Sequence, residues 1–123
     1  MEGHTDSVTC MVIDEKILIT GSDDHSIRLW NLSNFSPAGT VGTHQSAVQS
    51  LVFIEGPGLL LSACQSREVI CWIYQKYRKL ESFLKNEDIM CMEYISEENQ
   101  LLIGTDSGKI LNHDIAHYIH FDE

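Results

Sequence analysis

Apolar residues along this chain fall in short bursts separated by clusters of turn-forming residues, and the bursts repeat. Residues 8–13, 17–22 and 26–31 form one set, 48–53, 59–64 and 68–73 a second, and 89–94, 101–105 and 109–114 a third. Equivalent positions lie about 41 residues apart, within the roughly 40–45-residue period of a four-stranded repeat unit. The bursts are rich in β-branched and aliphatic residues and too short for stable helices, so they predict strands. Asp14-Glu15-Lys16, Glu55-Gly56-Pro57-Gly58 and Ser96-Glu97-Glu98-Asn99 are the expected turns between first and second strands. Asp23-Asp24-His25, Gln65-Ser66-Arg67 and Asp106-Ser107-Gly108 are those between second and third. The strands are apolar at nearly every position, which suits sheets covered on both faces. A weaker fourth strand is expected near residues 38–41 and 79–84. The window 74–86, free of Gly and Pro, could form an amphipathic helix by itself, but the repeat register makes it a loop and an outer strand.

With Gly3-His4 opening the first unit and Leu29-Trp30-Asn31 closing it, the chain resembles a WD40-repeat β-propeller. Asn31 stands where the family usually has Asp, and residues 20–30 are close to its typical strand–turn–strand stretch. The resemblance implies a hydrogen-bonded tetrad inside the blade, on His4, Thr20, Asp24 and Trp30. The chemistry is general: an indole N–H and an imidazole buried between strands need a hydroxyl and a carboxylate as partners. The second unit keeps His44, Ser62 and Trp72, with Ser66 at the Asp position and Ile73 at the closing one. The third has Lys85, Ile103, Ser107 and His113 at the four positions and retains only Asp114. The expected fold is all-β: a partial propeller of three four-stranded antiparallel blades, at about 4–43, 44–84 and 85–123, forming an incomplete ring. Propellers typically close with about 4–8 blades. The chain is therefore expected to be a piece or short form of a longer propeller, or to close by self-association.

Charge narrows the partners. Eighteen acidic residues stand against eight Lys and Arg, a net charge of −10, which disfavours a general nucleic-acid binder. The polar N-terminus and the shortness of every apolar run predict no secretory signal and no membrane span. Cys10, Cys64, Cys71 and Cys91 lack C-x-x-C spacing and read as reduced, mostly buried thiols of an intracellular protein. Cytoplasmic placement is expected, with cytoskeletal or ciliary association as a family-level analogy.

Catalytic and cofactor motifs find little support. His113, His117 and His120 would align as metal ligands on a helix, but the register puts His113 on a strand. Residues 104–110 resemble a phosphate loop with one residue too few between the glycines, and Ile110 stands where Ser or Thr should bind magnesium. Ser22, His4 and Asp24 could form a triad on paper, yet the tetrad explains His4 and Asp24 better. Lys76, Arg78, Lys79 and Lys85 read as a solvated outer strand. No catalytic, cofactor or metal residues are assigned, and no disulfide is expected.

Two rims remain. The first-to-second turns gather Asp14, Glu15, Glu55, Glu97 and Glu98 against Lys16, an acidic edge suited to a basic protein. The opposite rim presents Asp6, Asp23, His25, Gln45, Gln65, Arg67, Glu87 and Asp88, which the resemblance makes a partner-binding rim. The expected function is a non-catalytic protein-interaction scaffold. The alternative is a substrate- or partner-recognition segment of a larger enzyme complex such as a ubiquitin ligase. A small metal- or nucleotide-binding enzyme is a third reading.

Overall fold

Each turn cluster reverses the chain and each apolar burst pairs with the next, so neighbouring strands in sequence are neighbours in space. The computed structural model describes residues 3–55, 58–84 and 87–115. The first antiparallel sheet contains β1 (Val8–Asp14), β2 (Ile17–Ser22), β3 (Ser26–Asn31) and β4 (Ser36–Thr43), in that order. The second contains β5 (Val48–Ile54), β6 (Leu59–Cys64), β7 (Glu68–Ile73) and β8 (Arg78–Leu84). The third has three strands among the described residues, β9 (Ile89–Ile95), β10 (Gln100–Thr105) and β11 (Ile110–Asp114). A fourth strand there was expected; it would fall after Ile115, outside the described residues. The window that could have been helical holds one 3-10 turn, Tyr74–Lys76, and then β8.

The register repeats in detail. Each first strand skips one residue against its partner: Thr9 between Val8 and Cys10, Gln49 between Val48 and Ser50, and Met90 between Ile89 and Cys91. Such a bulge sharpens strand twist. Across from it stands a small residue each time, Gly21, Ala63 or Gly104. At Gly21 the reason is a close approach, because an added Cβ would lie 2.5 Å from Val48 Cγ1 and 2.7 Å from Cys10 Sγ.

The core lies between blades. Ile19, Ile27, Leu29 and Val41 of the first sheet pack with Val48, Leu51, Leu60, Ile70 and Trp72 of the second. The other faces of β6 and β7, with Leu59, Leu61, Ala63, Val69, Cys71 and Ile73, pack with Ile89, Met92, Leu101, Ile103 and Ile115. Strand alternation sends successive side chains to opposite faces, so the middle blade is covered twice and β6 is buried at every residue. End blades are covered once. Val8, Met11 and Ile13 on β1 are exposed, as are Met90 and Ile110 of the third blade.

The same asymmetry corrects one expectation. Cys64 and Cys71 are buried and Cys10 partly so, but Cys91 is exposed. Cys10 and Cys91 share a repeat position; Val48 of the next blade packs beside Gly21 and Cys10, whereas no described blade follows the third to cover Cys91. All four thiols are free.

Candidate functional site

In the first blade, His4, Thr20, Asp24 and Trp30 form one chain of hydrogen bonds. Trp30 Nε1–H donates to Thr20 Oγ1 at 2.8 Å, and Thr20 Oγ1 lies 2.7 Å from His4 Nε2. His4 Nδ1 lies 2.8 Å from Asp24 Oδ2. A carboxylate only accepts, so the Nδ1 proton points at Asp24, and a neutral ring then accepts the Thr20 hydroxyl at Nε2. Asp24 also accepts from Ser26 Oγ–H at 2.6 Å, Ser26 N–H at 2.8 Å and Thr5 N–H at 3.0 Å. Burial by itself would raise the Asp24 carboxyl; the bonds from Ser26, His4 and Thr5 outweigh it and hold the group well below the usual carboxylate range.

The second blade repeats the first half of this chain and lacks its end. Trp72 Nε1–H donates to Ser62 Oγ at 2.7 Å, and His44 Nε2 lies 2.6 Å from the same oxygen. Ser66, at the Asp24 position, is exposed, and its N–H donates to Ser46 Oγ instead. His44 Nδ1 is buried without a hydrogen-bond partner. The nearest carboxylate, Glu68 Oε1, stands at 3.6 Å, beyond hydrogen-bond reach. Burial, and then the charge of Lys79, depress the His44 pKa to about 4, so its ring is neutral at physiological pH.

In the third blade the network moves to the surface. Ile103 is buried where the hydroxyl would be. Ser107 Oγ–H donates to Glu87, and Lys109 Nζ lies 3.7 Å from Glu87 Oε2. His113, at the Trp position, stacks on Phe83 of β8 with ring centroids 4.1 Å apart. Lys85, His117 and His120 lie outside the described residues.

One backbone bond recurs in all three blades and builds the rim. Asp23 N–H donates to Ser7 O, Gln65 N–H to Ala47 O and Asp106 N–H to Asp88 O, each pinning a second-to-third turn to the loop before a first strand. These bonds place Asp6 near Asp23, Gln45 near Gln65 and Asp88 near the third turn. Arg67 Nε–H donates to Asp88 Oδ1 at 2.9 Å, joining the second and third blades along the rim. His25 and Arg67 occupy the left-handed region, at φ 78° and 69°, where Gly108 stands at φ 88° in the third blade. Such positions are strained for residues with side chains and cluster at functional sites. On the opposite edge, burial first, and then the charges of Glu15 and Glu55, push the Asp14 carboxyl upward.

Two residues of the second blade join this site with no motif to mark them. Cys64 and Glu68 flank the Gln65–Arg67 turn and approach His44, making the His/Cys/acid cluster of metal-ligand type found among the described residues. No spaced motif announces it, because His44 is 20 residues upstream of Cys64. The signal was positional: Glu68 occupies the repeat position of Ser26, which in the first blade touches both Asp24 and His4.

Comparison with known proteins follows the same gradient. Residues 1–31 match the family described as WD domain, G-beta repeat. An uncharacterized WD repeat-containing protein of Schizosaccharomyces pombe is 37% identical over 78 residues, which cover 58% of this chain and 21% of the relative. The target of rapamycin complex subunit wat1 of the same yeast is 29% identical over 124 residues, covering 94% of this chain and 39% of the relative. The chain thus spans well under half the length of either relative. Among solved structures, the β-propeller domain of Cps50 (Swd1) from Myceliophteria thermophila superposes with a TM-score of 0.79 at 22% identity, covering 92% of this chain and 37% of that one.

Proposed function

Because the chain belongs to the WD40-repeat β-propeller family, we propose that it is a non-catalytic scaffold that binds protein partners on the rim carrying His25 and Arg67. The observation that carries this reading is the shared left-handed conformation of His25 and Arg67, which hold the same turn position in successive blades, are both exposed, and at φ 78° and 69° lie beyond the 52–56° of the other non-glycine residues in that region, Glu15, Phe35, Tyr77 and Asn99. Gly would take these conformations without strain, so the side chains are kept at a cost to stability. Replacing both by Gly tests the reading: the fold persists, thermal stability holds or rises, and partner capture falls. Capture unchanged by the double variant would overturn it.

The three blades, at about 4–43, 44–84 and 85–123, act as one WD40-repeat region within a longer or associating propeller. The exposed apolar residues of the end blades support this, since faces of that kind are buried when another blade packs on them. Size-exclusion chromatography with light scattering checks it: self-association is expected, and a stable, well-behaved monomer would count against it. A second reading, recognition within a larger enzyme complex, is favoured by one relative, which carries the name of a complex subunit. No helix among the described residues is long and apolar enough to cross a membrane, and we place the protein in the cytoplasm on its reduced thiols and acidic surface.

A further inference from the structure

The truncated network of the second blade leaves three ligand-type side chains facing one another. A ring nitrogen of His44, Cys64 Sγ and a Glu68 carboxylate oxygen all lie within 4.8 Å of one another. Cys64 ends β6 and Glu68 opens β7, so both project from the base of the rim turn, while His44 enters from the loop before β5. Cys64 is fully buried, the His44 side chain is 0% exposed and the Glu68 side chain 18% exposed. Solvent therefore reaches the group from the Glu68 side.

The unpartnered His44 Nδ1 gives this cluster its meaning. A buried polar atom without a partner is destabilising unless something satisfies it. Ser62 Oγ holds Nε2 at 2.6 Å. With the ring proton on Nε2 donated to Ser62, Nδ1 presents a lone pair, the arrangement in which a second hydrogen bond orients a metal-binding imidazole. In the first blade Asp24 takes that nitrogen, and the positions of Cys64 and Glu68 hold Ser22 and Ser26, both already hydrogen-bonded. The metal-type donors are present only in the blade whose histidine lacks its carboxylate.

We propose that His44 Nδ1, Cys64 Sγ and the Glu68 carboxylate bind one Zn²⁺, with water as the fourth ligand. Nitrogen, thiolate and carboxylate together suit this borderline ion better than calcium or magnesium, which take oxygen ligands. Zinc bonds of about 2.0–2.3 Å put tetrahedral ligand atoms about 3.3–3.8 Å apart. The His44–Glu68 separation of 3.6 Å already matches, and the sulfur, within 4.8 Å of both partners, needs to close in by at most about 1 Å. The Cys64 thiol releases its proton to solvent as the Zn–S bond forms, and no electron changes hands. The ion would clamp the rim turn carrying Arg67 to the loop carrying Gln45.

Titration of the full chain, freed of metal by a chelator, with Co²⁺ and then Zn²⁺ tests the site. One equivalent of Co²⁺ is expected to give thiolate-to-cobalt charge-transfer absorption with tetrahedral d–d bands, displaced by one equivalent of Zn²⁺, and Zn²⁺ is expected to raise the Tm. Cys64→Ser removes the charge-transfer band, while Cys71→Ser and Cys91→Ser keep it. Glu68→Gln weakens Zn²⁺ binding at least about tenfold, with circular dichroism reporting that each variant is folded. Absence of stoichiometric Co²⁺ binding to the unmodified chain overturns the proposal, whatever the variants do. So does a charge-transfer band that survives in Cys64→Ser.

Discussion

The first and second blades both run hydrogen bonds from an indole through a hydroxyl to an imidazole, but only the first ends on a carboxylate. The first blade is covered on one face, with β1 largely open to solvent; the second is covered on both, with every residue of β6 buried. Between these two blades, polar bonding is the more complete where apolar packing is the lesser, whereas the third blade, also covered once, puts buried Ile103 where the hydroxyl would be. The second blade, with two packed faces, tolerates an unfinished network, whereas the first draws more of its order from hydrogen bonds that fix His4 and the turn at Asp24.

The sharpest way to break this comparison is to remove the carboxylate. Asp24→Ala should cost about 4 kcal/mol, because it strands several donors at once, while Ser66→Ala at the matching position should change stability little. Urea unfolding of the two variants measures the gap, and equal losses would erase the distinction.

Acid is the next lever. Unfolded His44 takes a proton near the ordinary 6.5, but the folded ring resists until about 4. The unfolded state therefore binds more protons in that window. The contribution is complete above pH 6.5 and is lost as pH falls toward 4, on the order of 3 kcal/mol. Asp24 behaves differently: its contribution is full above the ordinary carboxylate value of 3.8 and disappears only on stronger acidification. Thermal melts across pH should show the first loss in the unmodified chain and its flattening in His44→Gln. Parallel curves would assign that loss to another group.

Junctions between blades give a smaller effect. A Cβ at Gly42 would lie 2.4 Å from the Trp72 ring, so Gly42→Ala should cost about 2 kcal/mol through overpacking, read by chemical denaturation. One repeat later the pair is Phe83 against His113, stacked: a larger residue meets a smaller ring. The smallest change runs the other way. Ser66→Asp offers His44 the missing acceptor and should gain about 1 kcal/mol, visible as a raised Tm; no gain would mean that Glu68 or a bound ion already serves that nitrogen.

Blade number, strand order and the outer strands could be read from the 41-residue period because turns and apolar bursts are local properties. The residues brought together in the first blade carried the family pattern in full, so their types and spacing were visible too. Cys64 with Glu68 was not visible, since their meeting with His44 depends on a register that links a loop to two strands. The exposure of Cys91 was also hidden: its sequence position equals that of Cys10, and only the covering blade differs. The Gly42–Trp72 and Phe83–His113 exchange was legible in principle, but only by comparing two repeat positions at once.

The blades touch in sequence, β1 against β5 and β5 against β9. An open row has one junction fewer than it has blades, whereas a ring has as many junctions as blades. The unit that closes a ring therefore gains two junctions while ordering one unit's worth of chain, and every earlier unit after the first gains one. Stability in such a row grows by nearest-neighbour steps, and closure is the step that counts double. A blade seated across both ends collects that doubled increment, so the last blade to dock is the one that adds most to the stability of the ring.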